Sequence, residues 1–322
     1  MAGVSANCTT MVNNRVQELC ARVVLRRMND TRAGVGYSLA ASTLFAVMYF
    51  YATLLAPLDA QQIYGWRILL TAPFLAFYLL MVRQWGSVTA IWRRVRARPS
   101  LLALLCVSSL LLGIQLWIFM WAPIHGYGLD VSLGYFLLPL TMVLTGRLVF
   151  KERISRFQAV ACCFAAVGVA NELLFAPRLS WPTFVVCVGY PIYFVLRRLV
   201  RTNTLGGMWI DMALSLPVGL VFVISGAAGH EAAASSGQWP RLWLLVGGLG
   251  CISSAGLACM FTASHRLGLA LFGLLGYVEP VLLVLVALLL GERIAPDQWT
   301  TYLFIWGAIL ILVVEALRAL RR

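Results

Sequence analysis

Residues 134–158 read GYFLLPLTMVLTGRLVFKERISRFQ, and residues 276–298 read GYVEPVLLVLVALLLGERIAPDQ. Each begins Gly-Tyr, passes a proline and an apolar run, reaches Glu-Arg-Ile and ends on Gln. At a fixed offset of 140, Met120, His125, Gly128, Leu129, Glu152, Arg153, Ile154 and Gln158 match Met260, His265, Gly268, Leu269, Glu292, Arg293, Ile294 and Gln298. Upstream, CVSS at 106 echoes CISS at 251 with a shifted spacing. Apolar helices agree by chance at a few positions, but the shared residues here include charged and polar ones. The pattern predicts a duplicated unit.

The runs around the echo set the medium. Apolar residues make up 61% of the 322-residue chain and charged residues 11%, whereas a soluble domain carries about 25% charged residues. The excess apolar surface must be solvated by lipid. A helix crosses the hydrocarbon core with about 20 residues, and only helices or closed barrels satisfy their backbone there. Barrel strands would show as alternating segments of about 10 residues. The apolar runs here are 16 to 23 residues long and nearly unbroken, so the fold class is an all-α integral membrane bundle.

Ten transmembrane helices are expected: Gly34–Ala56, Arg67–Val82, Leu101–Trp121, Val131–Phe150, Phe157–Phe175, Trp181–Leu196, Gly206–Ser225, Leu242–Ser264, Leu269–Leu290 and Trp299–Leu317. The organisation is then a tail at 1–32, a first five-helix repeat at 33–176, a second at 177–319 and a short end at 320–322. An odd number of spans per repeat places the second upside down relative to the first. Inverted repeats are the signature of secondary transporters, with the binding site near the midplane between the repeats.

The net charge of +13 would suggest nucleic acid on a soluble protein. Here 21 of the 25 Lys and Arg residues fall on one side of the expected topology. That bias orients the chain with both termini cytoplasmic, as a multi-pass protein of the inner (plasma) membrane. The expected partners are the lipid bilayer and a small-molecule substrate, with no nucleic acid; a monomer and a homodimer both stay open. Residues 1–32 are polar, carry five arginines and lack an apolar signal-peptide core. The eight cysteines show no metal-ligand spacing, and no Walker loop, nucleophile elbow, HExxH or CxxC occurs. No metal, no cofactor and no enzymatic activity are expected, and transport would draw on ion or substrate gradients. The competing classes are a non-transporting membrane scaffold or sensor, and a membrane-embedded enzyme. The latter would need clustered His, Asp or Cys within spans, whereas the three histidines are scattered.

The segments IHGYGLDVSLGYFLLPL at 124–140, WRILL at 66–70 and GERI at 291–294 resemble the drug/metabolite transporter superfamily, in its EamA branch. The resemblance is to the RarD-like proteins, named for chloramphenicol sensitivity. His125, Gly126, Asp130, Ser132, Leu133, Gly134, Tyr135, Phe136 and Pro139 carry the motif. The chain departs from it at Ile124 and Leu138, where the family usually has Asn, and at Glu279, where it has a smaller residue. The resemblance implies a permease or exporter of small metabolites, amino-acid-like compounds or drugs, working by alternating access.

Glu279 falls near the centre of the ninth expected span. An unpaired carboxylate in lipid costs at least a few kcal/mol, so it should face the bundle interior, either exchanging protons or bonding a neighbouring helix. Pro280 should open that helix. Arg67 opens the second span and either snorkels to headgroups or binds an anionic substrate group. Gln115, Tyr51, Tyr135, Tyr190 and Tyr193 lie within spans, where polar groups either glue helices together or line a cavity. His125 reads as a gating or capping residue, and Asp130 as a cap for the fourth span. Asp211 reads as interfacial or functional. Glu152 and Glu292 read as helix caps.

Overall fold

The computed structural model describes residues 31–151, 155–175, 180–225, 239–267, 275–296 and 298–320. They are helical throughout apart from short connections. Helix α1 (Thr31–Leu55) ends in a 3-10 turn, and α2 covers Ala60–Met81. Helix α3 is Gly86–Ala97, α4 Ser100–Trp121, α5 Gly128–Phe150 and α6 Arg156–Phe175. Then follow α7 (Trp181–Val200), α8 (Leu205–Ser225), α9 (Trp239–Arg266), α10 (Val278–Leu289) and α11 (Trp299–Leu320). Six of the described helices (α1, α2, α4, α7, α8 and α9) are long and apolar enough to cross a membrane. A seventh span results if α5 counts as one, because it bends by 44° between Gly128–Leu138 and Leu140–Phe150. The bend falls at Pro139, a residue with no N–H to give to the helical ladder. Shorter apolar helices occur at Ala159–Asn171, Val278–Leu289 and Trp299–Ile311.

Local chemistry explains several boundaries. Asp59 and Gln62 form a capping box that starts α2: each side chain bonds the other's backbone, at 2.8 and 3.0 Å. Pro182 sits in the first turn of α7, where its missing N–H removes no helical bond. Arg201 closes α7 in the left-handed region. The second and sixth spans are longer than their apolar runs, because capped polar turns extend them.

Two expectations change. Residues 83–98 were expected as a basic connection, but they hold α3. Its apolar positions Val88, Ile91 and Val95 recur at helical spacing and are buried. The ninth span was expected to place Glu279 and Pro280 at mid-helix. Instead both lie in the first turn of α10, where proline is tolerated and an acidic side chain meets the positive end of the helix dipole.

Two cores hold the bundle. The larger is built mainly by α1, α2, α4, α7, α8 and α9, around Tyr49, Met48, Ile63, Ile118, Met212 and Leu249. The smaller is built mainly by α5, α6, α10 and α11, around Phe136, Ala161, Ala287 and Ile305. The principal pairings are α2 on α8, α6 on α11, α5 on α7, α2 on α9, α4 on α7, α5 on α10 and α4 on α8. The α2–α8 crossing is close because Gly65 and Gly219 face each other; a Cβ on Gly65 would lie 2.5 Å from the Gly219 carbonyl. Outward positions are apolar, with Leu289 and Leu244 about four-fifths exposed. Such side chains cover a lipid-facing surface.

Candidate functional site

A polar, aromatic centre forms where α2, α4, α5, α7, α9 and α10 converge. Arg67 of α2 is 4% exposed, so its guanidinium reaches no headgroup layer. Its Nε donates to Ser253 Oγ at 3.2 Å, and Nη1 to the Leu116 carbonyl at 3.5 Å. Thr71, one turn on, also donates to Ser253 Oγ, at 3.0 Å. The guanidinium carbon lies 5.5 Å from the Phe119 ring centre, a cation–π distance. Phe119 meets Tyr135 edge-on at 6.1 Å, and the Tyr135 and Tyr190 hydroxyls are 3.2 Å apart. Tyr64, Tyr135, Tyr190 and Glu279 lie within electrostatic range of Arg67. The Glu279 carboxyl has no hydrogen bond to a described residue and closes no ion pair with Arg67.

The centre therefore presents one guanidinium, one carboxyl and two hydroxyls around aromatic faces. Arg67, Phe119 and Tyr135 come from the first half of the chain; Tyr190, Ser253 and Glu279 come from the second. Four of the expected site residues (Arg67, Tyr135, Tyr190 and Glu279) meet here.

The others lie elsewhere. Gln115 donates from Nε2 to the Val185 carbonyl at 2.7 Å and packs on Gly189, tying α4 to α7. Tyr51 donates to the Leu245 carbonyl at 3.0 Å, over Gly248. His125 is exposed, bonded through Nδ1 to the Trp121 carbonyl at 2.9 Å and stacked on the Trp121 ring at 4.4 Å. Tyr193 belongs to a second charged cluster.

That cluster joins α7, α8 and the turn between them. Asp211 is 1% exposed. Its Oδ2 lies 3.6 Å from Arg197 Nη1 and accepts from Tyr193 OH at 3.0 Å. Arg197 donates to Tyr193 OH and to the carbonyls of Thr202 and Thr204. Gly207 leaves room for it: a Cβ there would meet Arg197 Nη2 at 2.7 Å.

One cap completes the picture. Asp130 does not cap α5, because Tyr127 holds the N-cap position and Asp130 sits inside the first turn. Glu292, from the loop after α10, does so instead, accepting from the N–H groups of Gly128 and Leu129, both at 2.7 Å. Burial pushes its carboxyl above the ordinary range, against the opposing pull of those two donors. Glu152 lies outside the described residues.

Sequence reading missed Ser253, Phe119 and Arg197. The repeated Ser-Ser pair was the available signal. Ser109 of α4 bonds Ser215 and the Asp211 carbonyl on α8, at 2.9 and 2.7 Å. Ser253 of α9 bonds Arg67 and Thr71 on α2. Each pair crosses to the other half of the chain.

No family model matches the chain. The chloramphenicol-sensitive protein RarD of Pseudomonas aeruginosa is 42% identical over 296 residues, covering 92% of this chain and 98% of its own. An uncharacterized transporter of Pasteurella multocida is 37% identical, covering 90% and 98%. The RarD protein of Escherichia coli is 29% identical, covering 91% and 98%. A solved crystal structure shares the fold with a TM-score of 0.53 at 16% identity, covering 91% of this chain and 99% of that one. The chain belongs to the RarD-like permease family of membrane transporters.

Proposed function

We propose that this transporter is a secondary active carrier of small metabolites, built from two inverted five-helix repeats and working by alternating access. The observation that carries the reading is the central placement of Arg67 and Glu279. One residue from each half of the chain belongs to the same aromatic centre, and the two close no ion pair with each other. A permanently closed ion pair would serve structure alone. Two separated, opposite groups can each engage part of a solute, or a proton and a solute in turn.

Several packing features support the duplication. Counting α3 as a connection, the pairs α2–α8, α5–α10 and α6–α11 each join spans five apart. Both cores mix equivalent spans: the first three of each repeat in one, the last two in the other. The crossing serine pairs follow the same rule. The charge bias favours both termini on the cytoplasmic side of the inner membrane.

The chemistry suits a small amphoteric solute, such as an amino-acid-like compound. A carboxylate would meet the planar fork of Arg67, an amine would meet Glu279, and apolar parts would lie on Phe119, Tyr135 and Tyr190. The test is exchange of a panel of radiolabelled amino acids, and of chloramphenicol, by purified protein in liposomes. Arg67→Gln should weaken the apparent affinity for carboxylate-bearing solutes at least tenfold. Arg67→Lys should weaken it less, since it keeps the charge but loses the fork. Unchanged exchange at low solute in both variants would remove Arg67 from the site.

A further inference from the structure

We propose that α3 is an in-plane docking surface for anionic phospholipid, with Arg93 and Arg96 holding headgroup phosphate and Trp92 seated at the headgroup–acyl boundary. The placement comes first. Helix α3 lies between the end of α2 and the start of α4. It packs against the beginning of α8, where Gly206 lies against Ser87 and Val88. Arg94 donates to the carbonyls of Val200 and Arg201 at 2.7 and 3.1 Å, closing the end of α7. Four helix ends therefore meet α3 at one end of the bundle, at the depth where a spanning chain leaves the hydrocarbon.

The faces of α3 are divided to match. Ile91 and Val95 are buried against Leu101, Leu105, Ile210 and Leu214, so the apolar side belongs to the protein. Counting about 100° per residue from Val95, Trp92 lies about 60° around the helix, at the edge of the buried stripe. Arg96 follows at about 100° and Arg93 at about 160°. Trp92 is half exposed, and the Arg96 guanidinium lies 5.8 Å from its ring centre. Arg93 and Arg96 are exposed and pair with no acidic group among the described residues. Arg83 and Arg98 flank the helix, also exposed. A tryptophan at the edge of a buried stripe, with arginines above it, is the pattern of a helix lying in the interface. Each basic group near an anionic leaflet adds attraction that a zwitterionic leaflet lacks.

The test uses the full chain in two nanodisc preparations, one of phosphatidylcholine alone and one with phosphatidylglycerol added. Retained lipid is read by native mass spectrometry and melting temperature by fluorescence. The wild type should retain phosphatidylglycerol over phosphatidylcholine and melt higher when it is present. Arg93→Gln with Arg96→Gln should reduce that preference about tenfold, with melting in phosphatidylcholine unchanged. Arg93→Lys with Arg96→Lys should keep most of it. Equal retention of the two lipids by the wild type would overturn the proposal, as would an undiminished preference in the double Gln variant. Lower melting of that variant in phosphatidylcholine would also overturn it, since the arginines would then be serving the fold.

Discussion

The two buried Arg–carboxylate clusters differ in how fully they are closed. Arg197 and Asp211 sit 3.6 Å apart within one hairpin, and a tyrosine and two carbonyls bond Arg197 Nη1 and Nη2 and Asp211 Oδ2, while Arg197 Nε and Asp211 Oδ1 keep no hydrogen-bond partner among the described residues. Arg67 and Glu279 face each other across the two halves of the chain, held by Ser253 and aromatic rings but not by each other. The positions are related: Arg67 precedes Thr71 by one turn, as Asp211 precedes Ser215, and each pair touches a serine of the repeated Ser-Ser motif. The closed pair ties two helices together. The open one leaves unmet charge where a solute could meet it.

The sharpest break in this comparison should come from Asp211→Ala. It leaves Arg197 buried without its counter-ion, at a cost of about 3–5 kcal/mol. Combining it with Arg197→Met should recover a large part of that loss, because no lone charge remains buried. Thermal unfolding of purified protein checks both. A single variant as stable as wild type would mean the cluster carries no structural load.

A smaller effect is expected where the halves are tied outside the centre. Glu292→Gln replaces a two-oxygen acceptor with one oxygen and a donor, so one of the two 2.7 Å bonds is lost. The expected cost is about 1–3 kcal/mol. Gly128→Ala should act in the same direction, since a Cβ there would lie 2.5 Å from Glu292 Oε1. If the two costs add in the double variant, they have separate origins; a shared cap predicts less than the sum.

The smallest effects should separate the tyrosines. Tyr190→Phe removes only the 3.2 Å bond to Tyr135 and should cost about 1 kcal/mol or less. Tyr193→Phe takes a hydroxyl from both Arg197 and Asp211 and should cost more. Equal costs would erase the distinction between an open and a closed cluster.

The membrane bundle was legible from composition and run length, because lipid leaves so few ways to satisfy a backbone. The convergence of Arg67, Tyr135, Tyr190 and Glu279 was legible as well: each is a polar side chain inside an apolar run, which must face inward. Gln115 and Tyr51 satisfy the same rule, yet they bond backbone carbonyls of neighbouring helices. Only the crossing geometry separates the helix-tying groups from those of the Arg67 centre. Helix α3 was hidden by its arginines, because its three apolar positions make too short a stripe to stand out. The capping role of Glu292 was readable, but its partner was not, since Gly128 lies 164 residues away in sequence.

The central claim is that the open Arg67–Glu279 centre, and not the closed Arg197–Asp211 pair, carries transport. It is tested most directly by flux in proteoliposomes with an imposed pH gradient, normalised to inserted protein. Gradient-driven net flux should fall at least tenfold in Glu279→Gln, which keeps the size and hydrogen bonding of the side chain but cannot ionise, while solute exchange persists. Arg197→Met with Asp211→Ala should transport normally per folded molecule. Wild-type flux that ignores the gradient, together with full activity of Glu279→Gln and Arg67→Gln, would contradict the account.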